Sequence, residues 1–191
     1  VRFTIAKLVP GTNGDADTWR SYVHRSATSE DETNTVTQAT YEREGTLVDH
    51  GDGTYTYTFL TDLLTAKDPV TDALIGYEPS LTHRLGMQIA NGVPAVNATY
   101  DFVPVGSAIV TRRDIAMTPS CNECHGKLVV HGSRYEVKYC VTCHNPGTSD
   151  PENNASGDMA VMVHKIHASG VLAEPYVFVG NDYSEVTYPQ D

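Results

Sequence analysis

The sequence predicts an all-β N-terminal domain followed by a mostly irregular, partly helical C-terminal one. Two observations carry this. Residues 1–110 hold no cysteine and read as short alternating segments punctuated by Gly, Asn and Asp, the pattern of antiparallel strands closed into a barrel or sandwich. From residue 111 onward the periodicity fades and the composition turns to Cys, His, Gly and Asn. The domains are therefore expected at residues 1–110 and 111–191.

Arg2 to Leu8 alternates, with Phe3 and Ile5 on one side. The clearest unit runs from Gly45 to Leu60, where Thr46–Val48 and Thr54–Phe59 flank Asp49, Gly51, Asp52 and Gly53. An Asp-Gly pair between alternating segments predicts a hairpin. Its threonines alternate with Tyr55, Tyr57 and Phe59, which predicts one buried face and makes the tyrosine stripe strand packing rather than a redox relay. His83–Ile89 and Asn97–Val105 read as further strands separated by an Asn91-Gly92 turn. The polar stretch from Arg25 to Gln38 reads as a long loop. In the second part Met159–His167 is the one good helical candidate, with Gly170 as its stop. That part has little with which to build a conventional core, so something other than side chains is expected to fill it; the first 110 residues look self-sufficient.

Composition narrows the function classes. With 40% hydrophobic and 19% charged residues, the chain is not a disordered one. No apolar run approaches the roughly 18 residues of a spanning helix, so no transmembrane segment is expected. A net charge of −11 over 191 residues argues against nucleic acid as a partner. No signal peptide or lipid-attachment sequence is visible, and Val1 opens directly into a strand-like run; the chain is expected to be mature or trimmed at both ends. There is no phosphate-cradling glycine loop, serine elbow or convincing carboxylate pair, hence no candidate catalytic residue.

All four cysteines and five of the eight histidines fall in the second part. Cys121-Asn122-Glu123-Cys124-His125 and Cys140-Val141-Thr142-Cys143-His144 are both C-x-x-C-H, the attachment signature of c-type haem. Two thiols at this spacing can form thioethers with the two vinyl groups of one porphyrin, and the adjacent His supplies an axial nitrogen to its iron. Cys121, Cys124, Cys140 and Cys143 are thus candidate thioether sites, and His125 and His144 candidate proximal ligands of two haems. The cysteines alone also fit a zinc ribbon, C-x2-C-x15-C-x2-C, and two disulfides or a redox pair are a further alternative. A four-cysteine zinc site has no need of a His after each pair, which favours haem.

His131, His164 and His167 are candidate distal ligands, the last two being three residues apart on one helix face. The six residues from His125 to His131 span at most about 20 Å, so His131 is expected to cross to the neighbouring haem. Two haems need two distal ligands, and the surplus histidine points to a bystander or to a further haem outside this chain. His24 and His50 read as ordinary solvated or hydrogen-bonded side chains, and His83 as closer to these than to a ligand. Arg112-Arg113-Asp114 reads equally as a partner for haem propionates and as a solvated turn. Iron with two histidines has no open position and shuttles electrons. An iron lacking its distal His would instead make a haem redox enzyme.

The ordered set DFVP at Asp101–Pro104, TRRDI at Thr111–Ile115, CNECHGKLVVHG, YCVTCHNPGT and MVHKIH resembles the outer-membrane multihaem cytochromes of the OmcA/MtrC type. GDGTYTYTF and the closing Val186-Thr187-Tyr188-Pro189-Gln190 fit as well. The resemblance implies a split β-barrel, Greek-key domain before a multihaem domain on the extracellular face of the bacterial outer membrane, with the anchor not in this chain. It implies electron delivery from an outer-membrane conduit or other cytochromes to extracellular metal oxides, chelated metals or flavins. It also implies covalent haem c at the four cysteines, His125 and His144 as proximal ligands, and His131, His164 and His167 as distal ones. Members carry about ten haems, whereas two motifs occur here, so the chain is expected to be a fragment or a short dihaem relative.

Overall fold

The computed structural model describes residues 1–91, 94–186 and 188. Strand β1 (Arg2–Val9) is the centre of the first part. It pairs antiparallel with β7 (His83–Ile89) from Arg2 to Lys7 and with β2 (Thr18–Ser21) from Ala6 to Val9. With β8 (Val96–Phe102) beyond β7, the sheet order is β2-β1-β7-β8. The edge of β1 that β2 leaves uncovered is taken by a bridge from Phe3 to Glu42, so one strand serves two partners along one side. Two hairpins complete the part: β3 (His24–Thr28) with β4 (Thr35–Ala39), and β5 (Thr46–Asp49) with β6 (Tyr55–Thr58).

Alternation along β1 sorts its residues to two interiors. Ile5 packs with Tyr22, Val23, Ala66 and Ile75, backed by Phe59, Leu85 and Phe102. On the opposite face Ala6 and Leu8 pack with Trp19, and Val141 from the second part lies against them. The strand is therefore buried on both faces. Lys7 shares the Ile5 side, and its buried ammonium donates to the carbonyls of Ile75 and Gly76 and to Glu78, as a buried charge requires.

The stretch from Arg25 to Gln38, expected as a loop, is instead the β3–β4 hairpin. Its side chains pair through polar atoms, Arg25 to Gln38 at 2.8 Å and Thr28 to Thr35 at 3.0 Å, so no apolar alternation marks it. The β5–β6 hairpin forms as expected, but its aromatic stripe divides. Tyr57 stacks on Phe3 at 4.0 Å and Phe59 meets both rings edge-on, while Tyr55 is 61% exposed. Gly92 of the expected turn, and Thr187, Pro189 and Gln190 of the closing run, lie outside the described residues.

The second part carries more helix than its periodicity suggests. Helix α3 (Met159–His167) matches its expected bounds, capped by Asp158, whose side chain accepts from the Ala160 and Val161 amides. Two helices were not foreseen: α1 (Thr118–His125), begun by Pro119 and closed at Gly126 with φ +63°, and the one-turn α2 (Val137–Cys140). Helices α1 and α3 bury no residue, whereas α2 buries Val137, Tyr139 and Cys140 against the sheet. A short pair, β9 (Val177–Phe178) and β10 (Asn181–Asp182), follows. Among the described residues, no helix is long and apolar enough to cross a membrane.

Candidate cofactor site

Each C-x-x-C-H motif sits on helical backbone. Cys121, Cys124 and His125 lie in α1, and the turn after α2 continues until the His144 amide donates to the Cys140 carbonyl at 2.8 Å. In both motifs the first Cys and the His are thus four residues apart on one face. The four thiols are unbridged. Among the described residues no three Cys, His, Asp or Glu side chains gather to hold a metal ion. Burial pushes the Cys140 and Cys143 thiols up to about 11.

The histidines pair across the two motifs. The His131 and His144 ring centroids are 5.9 Å apart with planes 19° from parallel. His125 faces His167 at 6.0 Å with planes at 89°. Two imidazoles on opposite sides of one metal atom need about this separation: two bonds of about 2 Å plus about 1 Å from each nitrogen to its ring centre. Hydrogen bonds choose the nitrogen. Nδ1 of His144 donates to the Gly157 carbonyl, of His164 to Ala160 and of His167 to Val163, at 3.1, 2.8 and 2.7 Å. That leaves Nε2 with its lone pair outward, the tautomer a metal ligand requires. Burial holds His144 and His131 below the ordinary histidine value, and Arg134 lowers both further.

His131 reaches His144 from the tip of a turn closed by mutual hydrogen bonds between Val130 and Arg134. Its own φ is +49°, followed by Gly132 at +77°, so a β-carbon is carried in the left-handed region to present this ring. His164 is in neither ring pair. The remaining histidines have other occupations: His83 is fully buried and bonded by Tyr22 and the Leu81 carbonyl, and His50 bonds Thr56 at the surface. His24 is sheltered with its Nδ1 unpartnered among the described residues.

Between the two parts lies an apolar cleft of about 240 Å³, lined among others by Trp19, Cys121, Val141, His144, Met159 and His164. Arg84 and Lys138 stand at it, already engaged: Arg84 holds Asp101 through two bonds of 2.7 and 2.8 Å and Asp114 at 3.1 Å, and Lys138 holds Asp114 at 2.8 Å. Asp114 thus belongs to an ion network, and Arg112 reaches Asp101 only at 3.7 Å. The Trp19 Nε1, beside Arg84, and the Tyr139 hydroxyl, beside Arg134, are buried without a partner among the described residues. Ile115 and Val163, which line the cleft, leave apolar surface exposed. Paired thiols, facing imidazoles with free Nε2 and uncovered apolar side chains fit a covalently held porphyrin. The sequence did not single out Trp19, though it is the chain's one tryptophan, or Arg84.

Residues 113–191 match the family model for the outer-membrane cytochrome MtrC/MtrF-like domains II/IV, and residues 5–109 match the model for the OmcA-like N-terminal domain. The multihaem cytochrome MtrC of Shewanella baltica (strain OS185) is 34% identical over 181 residues, covering 87% of this chain and 25% of that protein. Among solved structures, the outer-membrane decahaem cytochrome OmcA superposes with a TM-score of 0.79 at 27% identity, over 99% of this chain and 32% of that one. MtrC from Shewanella baltica OS185 superposes with a TM-score of 0.61 at 30% identity, over 90% and 27%. The chain therefore spans about a quarter to a third of the length of these relatives.

Proposed function

Because the chain belongs to the OmcA/MtrC-type family of outer-membrane cytochromes, we propose that it binds two covalent haems c and passes electrons between them. In this reading residues 1–110 form the β domain and residues 111–191 the haem-binding one. Cys121, Cys124, His125 and His167 would hold one haem; Cys140, Cys143, His144 and His131 would hold the other. The observation that carries the reading is that the ring of each motif histidine lies near that of one distal candidate, His125 at 6.0 Å from His167 and His144 at 5.9 Å from His131. His164, with its free Nε2 at the cleft, is left for a haem outside this chain.

Bound haem supplies a one-electron ferric/ferrous couple. The chain's residues do the rest. The carbonyls of Gly157 and Val163 hold His144 and His167 in the ligating tautomer, and Trp19, Val141 and Met159 keep water from the cleft. With His125 and His167, or His144 and His131, holding it, each haem would take no substrate and would supply electron transfer alone, so the protein would act as a conductor. We place it at the extracellular face of the outer membrane, taking electrons from a membrane conduit or other cytochromes. Its acceptors are extracellular metal oxides, chelated metals or flavins.

The test is mass and carbon monoxide. Two covalent haems add about 1.2 kDa to the denatured chain, and the reduced protein shows a sharp α-band without binding carbon monoxide. A colourless protein overturns the reading. Carbon monoxide binding to wild-type protein would replace electron transfer by the open-site enzyme.

A further inference from the structure

Resting on that reading, we propose that the four-stranded sheet is a template setting the separation of the two axial ligands of the second haem, with Gln88 as the positioning residue for His131. Cross-strand register puts two neighbouring rows on one face of the sheet: Thr4–Gly86–Thr99 and Arg2–Gln88–Asn97. Each row docks one side of the haem.

The first row receives the proximal side. The Thr142 hydroxyl, between Val141 and Cys143 of the motif, donates to the Tyr139 carbonyl at 2.7 Å and shares a hydrogen bond with the Thr4 hydroxyl at 2.8 Å, with both threonines fully buried. Tyr139, immediately before Cys140, packs where a side chain at position 86 would be: a Cβ on Gly86 would lie 2.7 Å from its ring and would clash with Thr4 Oγ1. Glycine there lets the motif approach the sheet.

The second row receives the distal side. Gln88, fully buried, donates from Nε2 to Ser133 Oγ at 2.7 Å and accepts from Arg134 Nε at 3.1 Å and Arg2 Nη1 at 3.4 Å. Asn97 donates to the Ser133 carbonyl at 3.1 Å and accepts from the Tyr135 amide at 2.8 Å. Ser133 and Arg134 are the descending limb of the turn that carries His131. A turn that strains its histidine to φ +49° needs such fastening, since a left-handed conformation persists only where its surroundings determine it. Rows two residues apart on a strand lie about 7 Å apart, a spacing that a folded sheet holds more rigidly than loops do. Helices α1 and α3, which carry His125 and His167, bury no residue, so the first haem has no such template.

The experiment uses the full holoprotein. Gln88→Met keeps the volume and loses the bonds; the expected result is unchanged haem content with about half of the reduced haem, one of the two, now binding carbon monoxide. His131→Ala gives the same half, and combining the two substitutions adds nothing. Gln88→Glu, which accepts from both arginines and from the Ser133 hydroxyl, restores the low-spin spectrum. Asn97→Ala carries the same test should Gln88→Met not fold. If either variant keeps both haems and stays wholly low-spin without binding carbon monoxide, the template is overturned. Absence of haem from the second motif in the wild-type protein would overturn the underlying reading instead.

Discussion

Arg84 shows what a single residue does at the junction. It is 1% exposed, its guanidinium lies 4.3 Å over the Trp19 ring, and it neutralises both Asp101 and Asp114. Replacing it by Ala removes both bonds to Asp101 at an apolar cleft, while Lys138 still holds Asp114. The expected cost is about 3–5 kcal/mol, the usual penalty for breaking a buried ion pair; urea unfolding measures it, and a loss below 1 kcal/mol would show the network to be hydrated. His24 gives a pH dependence. Burial outweighs the attraction of Asp68, Arg20 adds to the lowering, and its value falls to about 4. Between pH 6.5 and 4 the unfolded chain takes up a proton that the folded one refuses, so stability falls as pH drops through that window. His24→Gln should flatten the urea-midpoint profile there relative to wild type, with the two profiles running parallel above pH 7.

Elements follow the same physics one level up. Helix α3 was legible from its apolar spacing, although Gly170, expected as its stop, lies inside the 3-10 turn Ser169–Val171 that follows the cap at Ala168; its N-terminal cap is testable. Asp158→Ala removes both side-chain bonds to the first turn, at an expected cost of about 1 kcal/mol. Circular dichroism on thermal unfolding reads that loss, which should fray the segment bearing His164 and His167. The β5–β6 hairpin was legible from Asp52-Gly53 and its threonine alternation. The β3–β4 hairpin was not, because a ribbon fastened by Arg25–Gln38 and Thr28–Thr35 pairs needs no apolar face. Nor was α2, whose residues are helical where they meet the sheet. Four residues carry too little local signal to nucleate a helix unaided.

At the scale of the molecule, the β part borrows its cover. Ala6, Leu8 and Trp19 face Val141 rather than solvent, and Thr142 and Tyr139 fill the space over Thr4 and Gly86. A chain of residues 1–110 alone would expose that face. Uncovering Leu8 and Trp19 costs about 2 kcal/mol for each large side chain, which for a domain of this size lowers Tm by roughly 10 °C or more. Calorimetry of that chain beside the full one checks it, and equal melting temperatures would refute it.

By itself the sequence determined the chemistry: two C-x-x-C-H motifs, three further histidines within reach, and a cysteine-free strand-rich stretch before them. These are local facts, written in spacing and composition. Chain reach pointed His131 to the neighbouring haem, but which histidine faces which was decided by tertiary structure, because it depends on residues far apart in the chain. His131 meets His144 only through a turn held by Gln88 and Asn97, and His167 meets His125 only through the meeting of α3 with α1. Short-range patterns fix what a side chain can do; long-range packing fixes what it stands opposite.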